Sequence, residues 1–151
     1  MQKKGKYSVG QVFAIPIGSC YAIGVIAREQ KEVLLGYFLK QTFRELPALD
    51  DIKLNAAEYI MIKRFGSRGL DKGTWISLGI MSNFNGASWN VPVFKRKDLI
   101  SGEYSKVYYD DNLNEIKTEL MAQGDNPDEY PDDGLAGYGF VEKRLAKLLK
   151  C

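Results

Sequence analysis

The chain has 151 residues, 45% of them hydrophobic and 26% charged, with a net charge of +2. That composition is the one of a single ordinary globular domain able to bury its own core, and it does not point to disorder, a collagen-like repeat or a coiled coil. There is no histidine, which removes the commonest general base and metal ligand together and excludes Ser-His-Asp and Cys-His chemistry.

No apolar run approaches the roughly 18 residues of a membrane helix. The basic start, Met1-Gln2-Lys3-Lys4-Gly5-Lys6, is not followed by the apolar stretch and cleavage site of a secretory signal. Two cysteines, Cys20 and Cys151, are too few for a disulfide framework, and Cys151, the last residue, is expected to be mobile. The expected setting is therefore a reducing cytoplasm.

In chain order, residues 9–16 (VGQVFAIP) predict a first strand, which Pro16 limits to a strand end or a sheet edge. After a turn at residues 18–20, residues 21–28 predict a second strand with Gly24 at a bulge or a close contact. Residues 33–39 predict a third, nearly all apolar and therefore central. Short polar turns between them imply an antiparallel meander. Pro47 opens a segment in which Leu49, Ile52 and Ala56 recur at helical spacing, so a short helix is expected over residues 46–57. Residues 58–65 and 74–80 predict strands, separated by a glycine-punctuated loop. A loop at 82–90 precedes a hairpin of residues 91–95 and 104–109. Asn112 and Glu115 then match a capping box, with Leu113, Ile116 and Leu120 behind it and Gly124 as a stop, which predicts a helix. Residues 125–139 read as a long loop. Val141, Leu145, Leu148 and Leu149 form the apolar stripe of a terminal helix. The fold class is α+β: one domain over residues 1–151, mainly antiparallel sheet that can be barrel-like, with a short mid-chain helix and C-terminal helices.

No phosphate-binding loop or GxGxxG pattern occurs. The carboxylate pairs Asp50-Asp51, Asp110-Asp111 and Asp132-Asp133 are sequence neighbours, which on a strand point to opposite faces and do not converge on one substrate. Two basic clusters beside aromatics, Lys63-Arg64-Phe65 with Arg68 and Phe94-Lys95-Arg96-Lys97, raise nucleic-acid binding, but the charge balance falls short of the strongly basic range such domains show. Trp75 is expected in the core. Trp89 fits either a core or an interface hot spot. No catalytic residue, metal site or cofactor is implied. Residues 107–134 hold nine acids and one base, Lys117, whereas the rest of the chain holds 20 bases and 10 acids. That stretch is either a solvated loop or a docking surface for a basic partner.

The order of short motifs resembles the immunity protein 26 family of bacterial polymorphic toxin systems. The resemblance rests on Val9-Gly10-Gln11-Val12-Phe13-Ala14-Ile15-Pro16, Tyr21-Ala22-Ile23-Gly24-Val25-Ile26, Gly36-Tyr37-Phe38, Gly73-Thr74-Trp75 with Gly79, Pro92-Val93-Phe94 and Val141-Glu142-Lys143-Arg144-Leu145. Gln11 stands where the family often has an acidic residue, and residues 82–90 and 125–133 have no counterpart. The resemblance implies a non-enzymatic inhibitor that binds a cognate toxin, for which a basic nuclease domain is a candidate. Asp125, Asp128, Glu129, Asp132 and Asp133, with Tyr130 as an aromatic anchor, are then the expected toxin contacts. An SH3-like-barrel endoribonuclease, which the opening strand–turn–strand unit also resembles, and a nucleic-acid-binding module are the competing expectations.

Overall fold

A computed structural model describes residues 6–151, so Met1 to Gly5, and with them most of the basic N-terminal stretch, lie outside the described residues. The larger sheet contains β1 (Gln11–Ile17), β2 (Cys20–Gln30), β3 (Val33–Phe43), β4 (Tyr59–Gly66), β5 (Ile76–Ile80) and β9 (Leu135–Ala136), in the order β5-β1-β2-β3-β4-β9. All neighbours are antiparallel except β4 and β9. A second antiparallel sheet has the order β6 (Phe94–Lys97), β7 (Tyr104–Tyr109) and β8 (Glu115–Leu120). Two helices complete the described residues, the single turn α1 (Arg68–Asp71) and α2 (Tyr138–Leu149). Neither is long and apolar enough to cross a membrane.

The larger sheet is open, not a barrel, and is covered on both faces. This is why β1, β2 and β3 read as continuous apolar runs. Alternate side chains feed two cores. Val12, Ala14, Val25 and Tyr37 face one core with Trp89, Phe94 and Val107, under the second sheet. Phe13, Ile15, Phe38 and Phe65 face the other with Trp75, Val141 and Leu145, under α2. Both tryptophans are core residues. Trp75 stacks on Phe13 at 5.6 Å between ring centroids, and Trp89 meets Tyr37 edge-on at 5.3 Å. Gly24 leaves room for Phe13, whose Cζ would lie 2.3 Å from a Cβ built there. Pro16 sits beyond Ala14, the last β1 residue that β5 pairs, so its missing N–H interrupts no bond on that side.

Two expected helices are absent. Residues 46–57 contain only 3-10 turns at Leu49–Asp51 and Ala56–Glu58. Asp51 accepts the Ala48 N–H and Asn55 the Ala57 N–H, local bonds that compete with a helix. Ile52 alone of the three spaced apolar residues is buried. The segment after residue 112 is strand β8. Asp110 takes the N–H groups of Asn112 and Asn114, and Leu113 adopts φ +62°, closing a turn in place of a cap. Ile116 and Leu120 are four apart, a spacing that a helix face shares with one side of a strand. Both are exposed.

The expectation of a mobile, unbonded Cys151 is also overturned. Cys151 is disulfide-bonded to Cys20, 131 residues away in sequence, with Cα atoms 6.0 Å apart. The φ +51° turn at Gly18 makes room for it, because a Cβ there would lie 2.9 Å from the Cys151 carbonyl oxygen. The bond pins the end of α2 to the start of β2. Cys20→Ser is expected to cost about 2–5 kcal/mol by releasing so long a loop. Thermal melts of the oxidised protein with and without the substitution check this, and added reductant should make the two coincide.

Candidate functional site

The acidic segment is an ordered arm between β8 and α2. Its first part is held locally. Asp125 accepts the Ala122 N–H at 2.9 Å and pairs with Lys106 at 3.2 Å. Asn126 accepts the Asp128 N–H and starts the 3-10 turn Pro127–Glu129. Lys106 then lies over the Tyr130 ring, 5.6 Å from its centroid. The second part is extended and joins the two sheets. The Lys95 N–H donates to the Pro131 carbonyl at 2.8 Å, and the Asp133 N–H donates to the Lys95 carbonyl at 2.7 Å. Two residues later, β9 pairs in parallel with Arg64 and Phe65 of β4.

Asp133 is the centre of this junction. Its side chain is 5% exposed and accepts from Tyr109 Oη at 2.5 Å, Arg96 Nε at 2.8 Å and Arg64 Nη2 at 3.3 Å. Arg96 also binds Glu115 at 2.6 Å, and the Arg64 guanidinium lies 4.5 Å from the Tyr109 ring centroid. Burial pushes the Asp133 carboxyl upward, but the Tyr109 hydroxyl and the two arginines outweigh it and hold it below the usual carboxylate range. The Tyr109 hydroxyl is pushed up to about 12, first by burial and then by its bond to Asp133.

Beside the junction lies a groove of about 280 Å³ between the outer edge of β4, the arm and α2. Tyr59 and Ile60 line the β4 side, Asp128, Glu129 and Asp132 the arm side, and Phe140 the α2 side. Lys63 reaches along it to the Asp132 carbonyl at 3.3 Å and is 8% exposed. Burial lowers the pKa of its ammonium, against the opposing pull of Asp132 and Asp133.

The six residues singled out in the sequence therefore share one arm but not one environment. Asp128, Glu129 and Asp132 are exposed, Tyr130 and Asp125 are half-buried, and Asp133 faces inward. The basic clusters prove to be partners of the arm. Arg64 and Arg96 meet Asp133, and Lys95 lies 3.9 Å from Asp132. The other carboxylate pairs serve turns, through Asp51 and Asp110. Asp111 binds Arg28, whose guanidinium also donates to the Trp89 and Gly86 carbonyls and so anchors the loop at 82–90. Sequence reasoning missed Tyr109 and the outward edge of β4. Two clusters of opposite charge were the available signal for the junction.

Fold and site define an open-sheet α+β domain whose internal charges are spent on joining its sheets and whose groove presents a strand edge and exposed acids. The family model of immunity protein 26 matches residues 8–106, and the chain belongs to that family. The family is one of immunity proteins, which are generally not enzymes. The match takes in β1 to β6 and part of β7, and stops before β8, the arm and α2. No curated protein and no solved structure matches the chain.

Asp133→Asn leaves two arginines facing an uncharged amide in a buried site and is expected to cost about 3–5 kcal/mol. Because the folded carboxyl titrates below its unfolded value, its contribution is complete above the unfolded pKa of about 3.9 and is lost as pH falls through the folded one. Denaturant titrations of both proteins at neutral pH and between about pH 5 and 2 check this. The wild-type advantage should shrink on acidification.

Proposed function

We propose that the protein is the immunity partner of a toxin from a bacterial polymorphic toxin system, and that it neutralises this toxin in the cytoplasm of the producing cell by direct binding. Membership of the immunity protein 26 family carries this reading. The arm supplies its surface. Asp128, Glu129 and Asp132 are exposed at the rim of a groove, with Tyr130 packed beside them. Asp125 and Asp133 serve the same contact by fixing the arm's course. A basic toxin domain, such as a nuclease, is the complementary partner, since opposite potentials speed encounter and select register. In a reducing cytoplasm the Cys20–Cys151 bond opens, and α2 is then held by its packing, with Val141 and Leu145 buried and Tyr138, Ala146 and Leu149 beside them, and by the Trp75–Glu142 hydrogen bond.

The test is co-expression with the toxin encoded by the adjacent upstream gene, followed by affinity measurement on the purified toxin domain. Growth should be rescued by this chain. Reversing three charges together (Asp128→Lys, Glu129→Lys and Asp132→Lys) should weaken binding at least about tenfold, with a larger loss at low salt. Unchanged affinity would exclude the arm as the contact. Absence of both rescue and binding would exclude the immunity role for that toxin.

A further inference from the structure

The β6–β7 hairpin ends in a loop, residues 98–103, that runs past the last sheet pair, Lys97 with Tyr104. β8 ends level with that pair, since the Met121 N–H, one residue beyond the strand, donates to the Tyr104 carbonyl at 2.9 Å. The loop therefore projects from the smaller sheet, and every residue in it is exposed. Its backbone is nonetheless fixed. The Asp98 N–H donates to the Glu103 carbonyl and the Gly102 N–H to the Asp98 carbonyl, both at 2.8 Å. The Asp98 carboxylate accepts the Ile100 N–H at 2.8 Å and the Ser101 N–H at 3.0 Å, and Ser101 Oγ accepts the Glu103 N–H at 3.2 Å. Gly102 supplies the left-handed step, at φ +75°. Asp98, Ser101 and Gly102 are thus the residues that make the turn.

The side chains of Leu99 and Ile100 contribute nothing to it. They are 95% and 99% exposed, whereas the next most exposed large apolar residue, Ile116, is 64% exposed. Apolar residues scattered singly over a surface need no explanation, but two adjacent ones on a fixed, projecting loop mark an interaction site. The loop also adjoins the acidic arm. A shallow hollow is lined on one side by Gly102, Glu103 and Tyr104 and on the other by Met121, Asp125 and Pro127, where the arm begins. Residues 97–103 hold two acids and one base, Lys97, whose ammonium lies over the Tyr104 ring, 5.8 Å from its centroid. Past the hollow the arm adds the exposed Asp128 and Glu129. The surroundings of Leu99 and Ile100 are therefore acidic, which opposes an anionic lipid surface and suits a basic protein.

We propose that Leu99 and Ile100 form an apolar finger that enters a concave, basic-rimmed site on the toxin, while the acids of the arm meet the rim. A loop already fixed by its own hydrogen bonds loses little freedom on docking, so more of the apolar burial appears as affinity. The inference rests on the immunity reading and adds to it a second contact of different chemistry, apolar where the arm is electrostatic. The family model takes in the finger and stops before the arm.

Affinity of the full chain for the purified domain of the adjacent toxin tests it. Leu99→Ser combined with Ile100→Ser keeps every backbone bond of the loop, so circular dichroism and the melting temperature should not change, while the toxin Kd should rise at least about tenfold. Because the lost contact is apolar, that factor should be the same at low and high salt, unlike the loss from reversing the arm's charges. Ile80→Ser, on β5 at the far end of the larger sheet's strand order, should leave Kd unchanged, and an equal loss there would overturn the finger. An unaltered Kd and full growth rescue in the double variant would also overturn it and leave the immunity role standing. Absence of binding and rescue by the unaltered chain would remove the parent reading and this one together. A dimer of the chain alone that the double variant dissociates would assign the finger to a second copy. Sedimentation of the unaltered chain, but not the double variant, with vesicles of phosphatidylcholine and phosphatidylglycerol would assign it to a membrane. Either result would overturn insertion into the toxin.

Discussion

The arrangement depends on one buried carboxylate. Asp133 collects Arg64 from the larger sheet and Arg96 and Tyr109 from the smaller one, with its own side chain 5% exposed. A buried ion is costly unless its partners satisfy it, and removal of one partner costs more than the pair contributes. Here the partners belong to different sheets, so satisfying Asp133 fixes where those sheets lie relative to each other. Backbone bonds on either side reinforce the junction, from Lys95 to Pro131 and from β9 to β4. The arm is thus a strap sewn first to one sheet edge and then to the other.

That strap alters the meaning of the charge pattern. An acidic stretch following two basic clusters looks like a pair of surfaces for outside partners. In the fold, much of each meets the other. Asp133 neutralises arginines that would otherwise suggest nucleic-acid contact, and Asp125 takes up Lys106. What remains for a partner is a smaller set, Asp128, Glu129 and Asp132, held at the rim of a groove by the same strap. Net charge along the chain therefore overstates the field that a partner meets, and the distinction comes from burial.

The central strands and the terminal helix were legible in the sequence because they follow strong hydrophobic patterns. β8 was not, since Ile116 and Leu120 satisfy a helical and an extended period alike, and the deciding groups are Asp110 and the left-handed Leu113. The Cys20–Cys151 bond was hidden by a separation of 131 residues, which says nothing of distance in space. For the site, the sequence marked the acidic residues and the basic clusters but not their pairing. Tyr109 carries no sequence signature, because its bond to Asp133 forms only when the two sheets meet.

Burial of the larger sheet on both faces leaves little of it for recognition. β1, β2 and β3 are covered by the smaller sheet on one side and by α2 on the other. The edges of the sheets differ. β8 alternates Glu115, Lys117 and Glu119, whereas the outer edge of β4 carries a register shift at Ile60 and the buried Lys63 beside the groove. The family match ends at residue 106, so it includes the β4 edge but neither the arm nor α2, the two elements that wall the groove.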